Sequence, residues 1–180
     1  MNEIIATLKN FGFYDIITGI ITITASFFGV YCAIDKWIKR KEHFPRVNFD
    51  LTIQIIDFHD DKIILNVIAS VDNKGYVPLK IKNFKCELLG IMSDSSLELG
   101  DEKIRNQLSF PNKIGDGSFI PLDWNYSFVY PCVKTDYLYI TFIPKNTKYL
   151  LVKGSFYYLE TNESHHAGKV MKIPMDNMVI

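Results

Sequence analysis

Cysteine is scarce in this chain, with only Cys32, Cys86 and Cys132 among 180 residues. That number excludes a disulfide framework and leaves reduced, buried thiols as the default. A charge imbalance is missing as well: 20 basic and 20 acidic side chains give a formal net charge of zero. No broad basic surface for nucleic acid is therefore expected. Catalytic signatures are also lacking. The chain contains no G-x-S-x-G, no H-E-x-x-H, no phosphate-binding loop and no kinase set, which argues against an enzyme and against a bound cofactor.

Long uncharged runs are rare too, and the single one stands out. Ile16 to Ile34 carries no charged side chain and approaches the ~20 residues that an apolar helix needs to cross a bilayer. Asp15 and Asp35 bracket it, while Tyr14 and Trp37 sit where amphipathic rings favour the headgroup region. The expectation is a single-pass transmembrane helix with its basic flank over 15–41, after a short outer segment 1–14. Lys9 is the one basic residue upstream, whereas Lys36, Lys39, Arg40, Lys41 and Arg46 follow the run. This asymmetry predicts an inner-membrane protein whose C-terminal domain is cytoplasmic. Lys36, Trp37, Lys39, Arg40 and Lys41 are the expected lipid-headgroup contacts, at about 1 kcal/mol per basic residue near an anionic surface. A cleaved signal peptide would need a basic n-region and an A-x-A-like site, and neither is present. A buried globular helix is the other reading. Bulky Tyr31 before Cys32 makes a poor lipoprotein cleavage site, leaving Cys32 as a small apolar residue or a palmitoylation candidate.

Within the run, Gly19, Thr22, Ser26, Gly29 and Ala33 recur at spacings of three and four, so all five small residues share one face. Such a stripe suits close helix–helix packing. With one span per chain the partner helix comes from another molecule, so a homo-oligomer with a left-handed crossing is expected. Ala25 and Gly29 add a second small pair. Residues 2–13 suggest a short amphipathic helix on the outer surface, with Ile4, Ile5, Leu8 and Phe11 on one side.

Phe44-Pro45 predicts the end of the helix, because proline disfavours helical geometry in the residue before it. Residues 45–180 are long enough for one core and too short for two ordinary domains. Period-two alternation dominates there. Val47, Phe49, Leu51, Ile53 and Ile55 predict one strand, a polar turn follows over Asp57 to Asp61, and Ile63 to Val71 predicts its hairpin partner. After the turn at Asn73-Lys74-Gly75, Val77, Leu79 and Ile81 hold one phase and Phe84, Cys86 and Leu88 the other. A bulge or a change of sheet is expected near Lys82 and Asn83. Residues 93–118 read as an irregular connection with one short strand around Gln107 to Phe110, and as the likeliest place for a recognition loop. Further strands are expected over Leu122–Tyr130, Tyr137–Ile143 and Lys148–Leu159, with a last one over Val170–Ile173. The fold class is all-β: an N-terminal transmembrane helix followed by an antiparallel β-sandwich, with a small closed barrel as the alternative.

The segment from Val71 to Ile81, with Asn73, Gly75, Pro78 and Ile81 in the order N-x-G-x-x-P-x-x-I, resembles the strand-turn-strand of immunoglobulin-like sandwiches. Phe110-Pro111 to Phe128 and Tyr137 to Leu151 are similar to the later strands of that group. Such domains recur behind a single N-terminal span in small bacterial proteins of unassigned function. The resemblance implies an immunoglobulin-like fold for most of 45–155 and no functional residue. The group's usual disulfide and core tryptophan have no counterparts, since Trp124 is not placed between Cys86 and Cys132 in the expected manner. Reversed topology would permit a Cys86–Cys132 bond and make Asn125 and Asn162 formal glycosylation acceptors.

Two polar clusters hold metal-ligand types, namely Asp57, His59, Asp60 and Asp61, and Glu160, Glu163, His165 and His166. Both fall in expected hairpin turns, where such residues collect for conformational reasons, so no metal is expected. The 10 Tyr and 13 Phe suit a sheet core, or else the lining of a groove for a flat ligand. The function that follows is a membrane-anchored, non-enzymatic binding module that recognises a protein partner or small signal and oligomerises through its helix. Architectural analogy suggests a membrane-perturbing effector in bacterial anti-phage defence. The alternative is an adaptor or structural subunit offering edge strands to a larger membrane complex. An enzyme of membrane lipids using the His59 or His165 turns is a third.

Overall fold

The computed structural model describes residues 12–39, 46–100, 106–161 and 163–174. The chain divides into two compact units, Met1–Phe44 and Pro45–Ile180. The expected amphipathic helix over 2–13 (apart from 12 and 13), the basic residues Arg40 and Lys41, the Phe44-Pro45 stop and Asn162 lie outside the described residues. Of Phe13 and Lys39 only the backbone is described.

The described residues of the first unit hold one helix, α1 (Phe13–Lys39). Asp15 in its first turn accepts a hydrogen bond from the Gly12 N–H at 3.1 Å. A carboxylate there both caps the start of the helix and complements the positive end of its dipole. Its stretch Tyr14–Ile38 is long and apolar enough to cross a membrane, and none of its most apolar window is buried.

The second unit is mostly β, with strands β1 (Val47–His59), β2 (Lys62–Asn73), β3 (Leu79–Met92), β4 (Leu99–Gly100), β5 (Gln107–Leu108), β6 (Asn112–Ser118), β7 (Ser127–Val129), β8 (Val133–Pro144), β9 (Thr147–Tyr158) and β10 (Ser164–Lys172). They form two main antiparallel sheets in the orders β1-β2-β8 and β10-β9-β3-β6, with β7 beside β3, and a small β4-β5 ladder. Among the described residues neither sheet closes on itself. Alternation aims one side of each main strand inward. Leu65, Val67 and Ala69 from one sheet share a buried cluster with Leu88, Leu150 and Val152 from the other.

The phase change in the third strand is real. Asn83 takes a left-handed conformation (φ 52), which asparagine tolerates better than most residues. The register against β9 slips between Lys82 and Lys85, so buried Leu79 and Ile81 give way to buried Phe84, Cys86 and Leu88. Before the slip β3 pairs with β7 and after it with β6.

Several expectations are corrected. Residues 112–118 form a full strand within the segment read as irregular. Its apolar alternation is hidden because Gly115 and Gly117 stand where side chains would show it. Of the strand expected over Leu122–Tyr130 only Ser127–Val129 forms; Pro121 stops pairing, and the Trp124 N–H closes a turn on the Pro121 carbonyl at 3.1 Å. The turn expected over Asp57–Asp61 is shorter, since β1 runs to His59 past a bulge between Ile55 and Asp57. The last strand starts at Ser164 rather than Val170.

Candidate functional site

The most distinctive surface of the β unit is built on β8. It ends the sheet order β1-β2-β8, so one of its edges pairs with no described strand. Its inward side chains tie it to the opposite sheet. Tyr137 Oη lies 2.8 Å from Ser127 Oγ on β7, and Tyr139 donates to the Asp116 carbonyl on β6 at 3.3 Å. Burial pushes the Tyr137 hydroxyl above its ordinary pKa, and the Ser127 bond opposes that shift, so Tyr137 keeps its proton near neutral pH. Both side chains bridge the two sheets.

The outward side chains of β8 are the unusual ones. Leu138, Ile140 and Phe142 are 59%, 64% and 54% exposed, on a face where β1 shows Asn48, Asp50, Thr52 and Gln54. Ile68 and Ile64 lie beside Leu138 and Phe142 in register, extending the apolar stripe onto β2. Lys62 Nζ sits 4.1 Å above the Phe142 ring, covering part of the stripe. Between the isoleucines, Asn66 Oδ1 is buried without a hydrogen-bond partner among the described residues. Leu138 also lines an open groove of 840 Å³, together with Phe119, Ile120, Lys85, Asp116 and Trp124. An unpaired edge backbone, an apolar stripe and a groove with one charge of each sign suit an extended apolar peptide segment.

The sequence-based candidates are placed as follows. Gly19, Thr22, Ser26, Gly29 and Ala33 lie on α1 and are exposed. A methyl group at Gly19 or Gly29 would meet nothing within 4 Å. Thr22 and Ser26 donate to carbonyls one turn back, at 2.8 Å in each case. Their protons are thus used within the helix, so the stripe offers close approach rather than hydroxyl donors between helices. Lys36 and Trp37 are exposed near the C-terminal end of α1.

No group of three or more metal-ligand side chains converges among the described residues. In the first polar cluster His59 reaches only Asp60, at 3.4 Å. In the second, His165 and His166 lie on β10 rather than in a turn, and adjacent strand positions point to opposite faces. His165 stacks on Phe156 at 5.6 Å between ring centres and lies 2.9 Å from Tyr158 Oη through Nδ1, while His166 meets Ser164. Cys86 is buried, which pushes its thiol up to about 12; Cys132 is exposed and no disulfide joins them. Trp124 is exposed rather than a core residue. Most of the aromatic content is core: the Phe84 ring contacts Phe49, Phe119, Tyr137 and Phe156 at 4.7 to 5.5 Å. The β8 stripe was not among the sequence-based candidates; its signal is the apolar run from Tyr137 to Ile143, interrupted once, at Thr141.

No family model matches the chain, and no curated protein matches it in sequence. Among solved structures, the chain is similar to the Northeast Structural Genomics Consortium target SoR45, at 11% identity and TM-score 0.45 over 74% of this chain and 90% of that one. It is also similar to Spo0M, a sporulation control protein from Bacillus subtilis, at 10% identity and TM-score 0.45 over 71% of this chain and 48% of that one. The putative ApaA protein from Bordetella pertussis follows at 9% identity and TM-score 0.42, over 72% and 95% of the two chains. None of these likenesses transfers an activity.

Proposed function

We propose that this chain is a membrane-anchored, non-enzymatic binding module: α1 is its single membrane span, and an immunoglobulin-like sandwich on the cytoplasmic side takes an extended apolar segment of a protein partner along β8. The observation that carries the reading is the exposure of α1. Ten Ile, Val and Phe side chains on this helix are exposed. Full burial of a large apolar side chain is worth about 1.5–3 kcal/mol, and these ten are 38–73% exposed, so the penalty is on the order of 10–15 kcal/mol. Whole domains are stable by only about 5–15 kcal/mol, and a hydrocarbon environment removes the penalty. The hydroxyls that would be costly in lipid are internally bonded, with Thr18, Thr22, Thr24 and Ser26 each donating to a carbonyl of the preceding turn. Lys36, followed in the sequence by Lys39, Arg40 and Lys41, favours a cytoplasmic C-terminal side. The small-residue stripe brings two copies together through the span.

The test uses the full chain expressed in bacteria. The anchor reading expects protein that resists alkaline extraction and floats with inner membranes. It also expects Cys132 to be modified by a membrane-impermeant maleimide only after permeabilisation. Release by alkali refutes the anchor, and labelling in intact cells refutes the orientation. Crosslinked oligomers that Gly29→Ile removes support association through the span. Depolarisation lost with those oligomers identifies a membrane-perturbing effector; oligomers without depolarisation identify an adaptor. Ile140→Lys is expected to abolish partner capture without releasing the chain from the membrane.

A further inference from the structure

The point where the chain enters the β unit is ringed by two rigid turns. The Arg46 carbonyl accepts a hydrogen bond from the Lys74 N–H at 2.7 Å. One residue on, the Gly75 carbonyl accepts the Cys132 thiol at 3.8 Å. The buried Asn73 side chain fixes both turns: its amide donates to the Val77 and Val129 carbonyls at 2.9 and 3.3 Å, and its oxygen accepts the Gly75 N–H at 3.0 Å. The second turn, Tyr130-Pro131-Cys132-Val133, is closed by the Val133 N–H on the Tyr130 carbonyl at 3.3 Å. Proline at its second position and a positive φ at Cys132 (58) are the pattern of a type II turn.

Each turn carries an exposed ring. Tyr76 is 71% and Tyr130 65% exposed, and Val133 beside them is 41% exposed. Tyr130 is steadied by the Phe128 ring, edge-on at 4.7 Å. The Lys74 side chain is 65% exposed, with Asp72 3.6 Å away. Two exposed tyrosines, with a lysine two residues before the first, are chemistry suited to a bilayer interface, where an apolar ring and a wet hydroxyl are both satisfied.

Chain length puts that surface within reach of lipid. Only residues 40–45 separate Lys39 from Arg46, and at ~3.3–3.6 Å per residue the connection spans at most about 25 Å. The far end of the sheet, at the Asp60-Asp61 turn, is a 13-residue strand away, or roughly 40 Å.

We propose that the Arg46 end of the β unit docks on the lipid headgroups, with Tyr76 and Tyr130 in the interface and Lys74 at the phosphates. The inference rests on the reading of α1 as a membrane anchor. Docking holds the sandwich against the bilayer and fixes which part of β8 faces away from it.

The full chain carrying Cys32→Ala, labelled at Cys132 with an environment-sensitive fluorophore, is reconstituted in phosphatidylethanolamine–phosphatidylglycerol vesicles containing a headgroup nitroxide lipid. Strong quenching is expected at Cys132, and several-fold less for the same label at Asp61→Cys in a Cys132→Ser background. Tyr76→Ser with Tyr130→Ser is expected to cut the Cys132 quenching at least threefold while flotation and thermal unfolding stay unchanged. Equal quenching with and without the two rings overturns the proposal, as does quenching at Cys132 no greater than at position 61. Failure of the anchor itself is separately visible, as loss of flotation after an alkaline wash.

Discussion

Gly154 on β9 faces Phe49 on β1 across the two sheets, and a methyl group built at position 154 would lie 2.8 Å from Phe49 Cζ and 3.2 Å from Leu51 Cδ2. Leu51 is buried and the Phe49 ring is held against Phe84 and Phe156, so neither neighbour can yield freely. Gly154→Ala is expected to cost about 1–3 kcal/mol by overpacking. Gly168→Ala on the next strand has no contact below 3.9 Å and serves as the control, expected within about 0.5 kcal/mol of the parent. Urea unfolding followed by tyrosine circular dichroism checks both.

Phe84 is the hub of the ring cluster, and its side chain is fully buried. Phe84→Ala is expected to cost about 3–5 kcal/mol, enough to unfold much of the population at 37 °C. A loss below about 1 kcal/mol would mean that the core collapses to refill the space.

Asn73 is buried and makes three hydrogen bonds through its side chain. Asn73→Ala leaves the Gly75 N–H and two carbonyls without their partner, an expected loss of about 2–3 kcal/mol. Asn73→Asp, which keeps the acceptor and removes the donor, should fall between the two in a thermal melt. Equal stability of all three chains would contradict the role assigned to this side chain.

His165 is held below its ordinary value of 6.5, chiefly by burial and then by His166. The unfolded chain therefore binds a proton near pH 6.5 that the folded chain takes up only at lower pH. The sign follows: this stability is present in full above about pH 7, begins to fall near pH 6.5, where the unfolded chain is protonated, and is lost as pH drops through the lower value of the folded chain. Melting temperatures at pH 7.5 and 5.5 are expected to differ more for the parent than for His165→Gln. An identical pH dependence in the two chains would rule His165 out as the source.

Cysteine reactivity should separate cleanly within the β unit. Burial pushes the Cys86 thiol up to about 12, while Cys132 is exposed; thiolate is the reactive form. Maleimide at pH 7.5 is expected to modify Cys132 and to reach Cys86 only in denaturant, as read by peptide mass. Modification of both in the native chain would show that the core opens.

The alternation of β1 and β2 was readable because the inward positions are apolar, with Asn73 at the end of β2 the exception, and most outward ones are polar. The phase change at Asn83 was readable for the same reason, since two apolar registers met there. By contrast, β6 was hidden by Gly117, where a methyl group would overlap the Tyr139 ring. A glycine chosen for a ring from a distant strand leaves no local pattern. The β8 surface was hidden differently: Tyr137 to Ile143 is almost entirely apolar, and no local pattern tells which of its two faces a second layer covers.

The sequence by itself determined the apolar helix, the strand-rich second unit and the switch within β3, because each depends on side-chain periodicity over a few neighbouring residues. Tertiary structure alone decided that β8 ends its sheet, leaving Leu138, Ile140 and Phe142 exposed, and that the Tyr76 and Tyr130 turns meet beside Arg46. Both follow from pairings between residues far apart in the chain, which local preference does not encode.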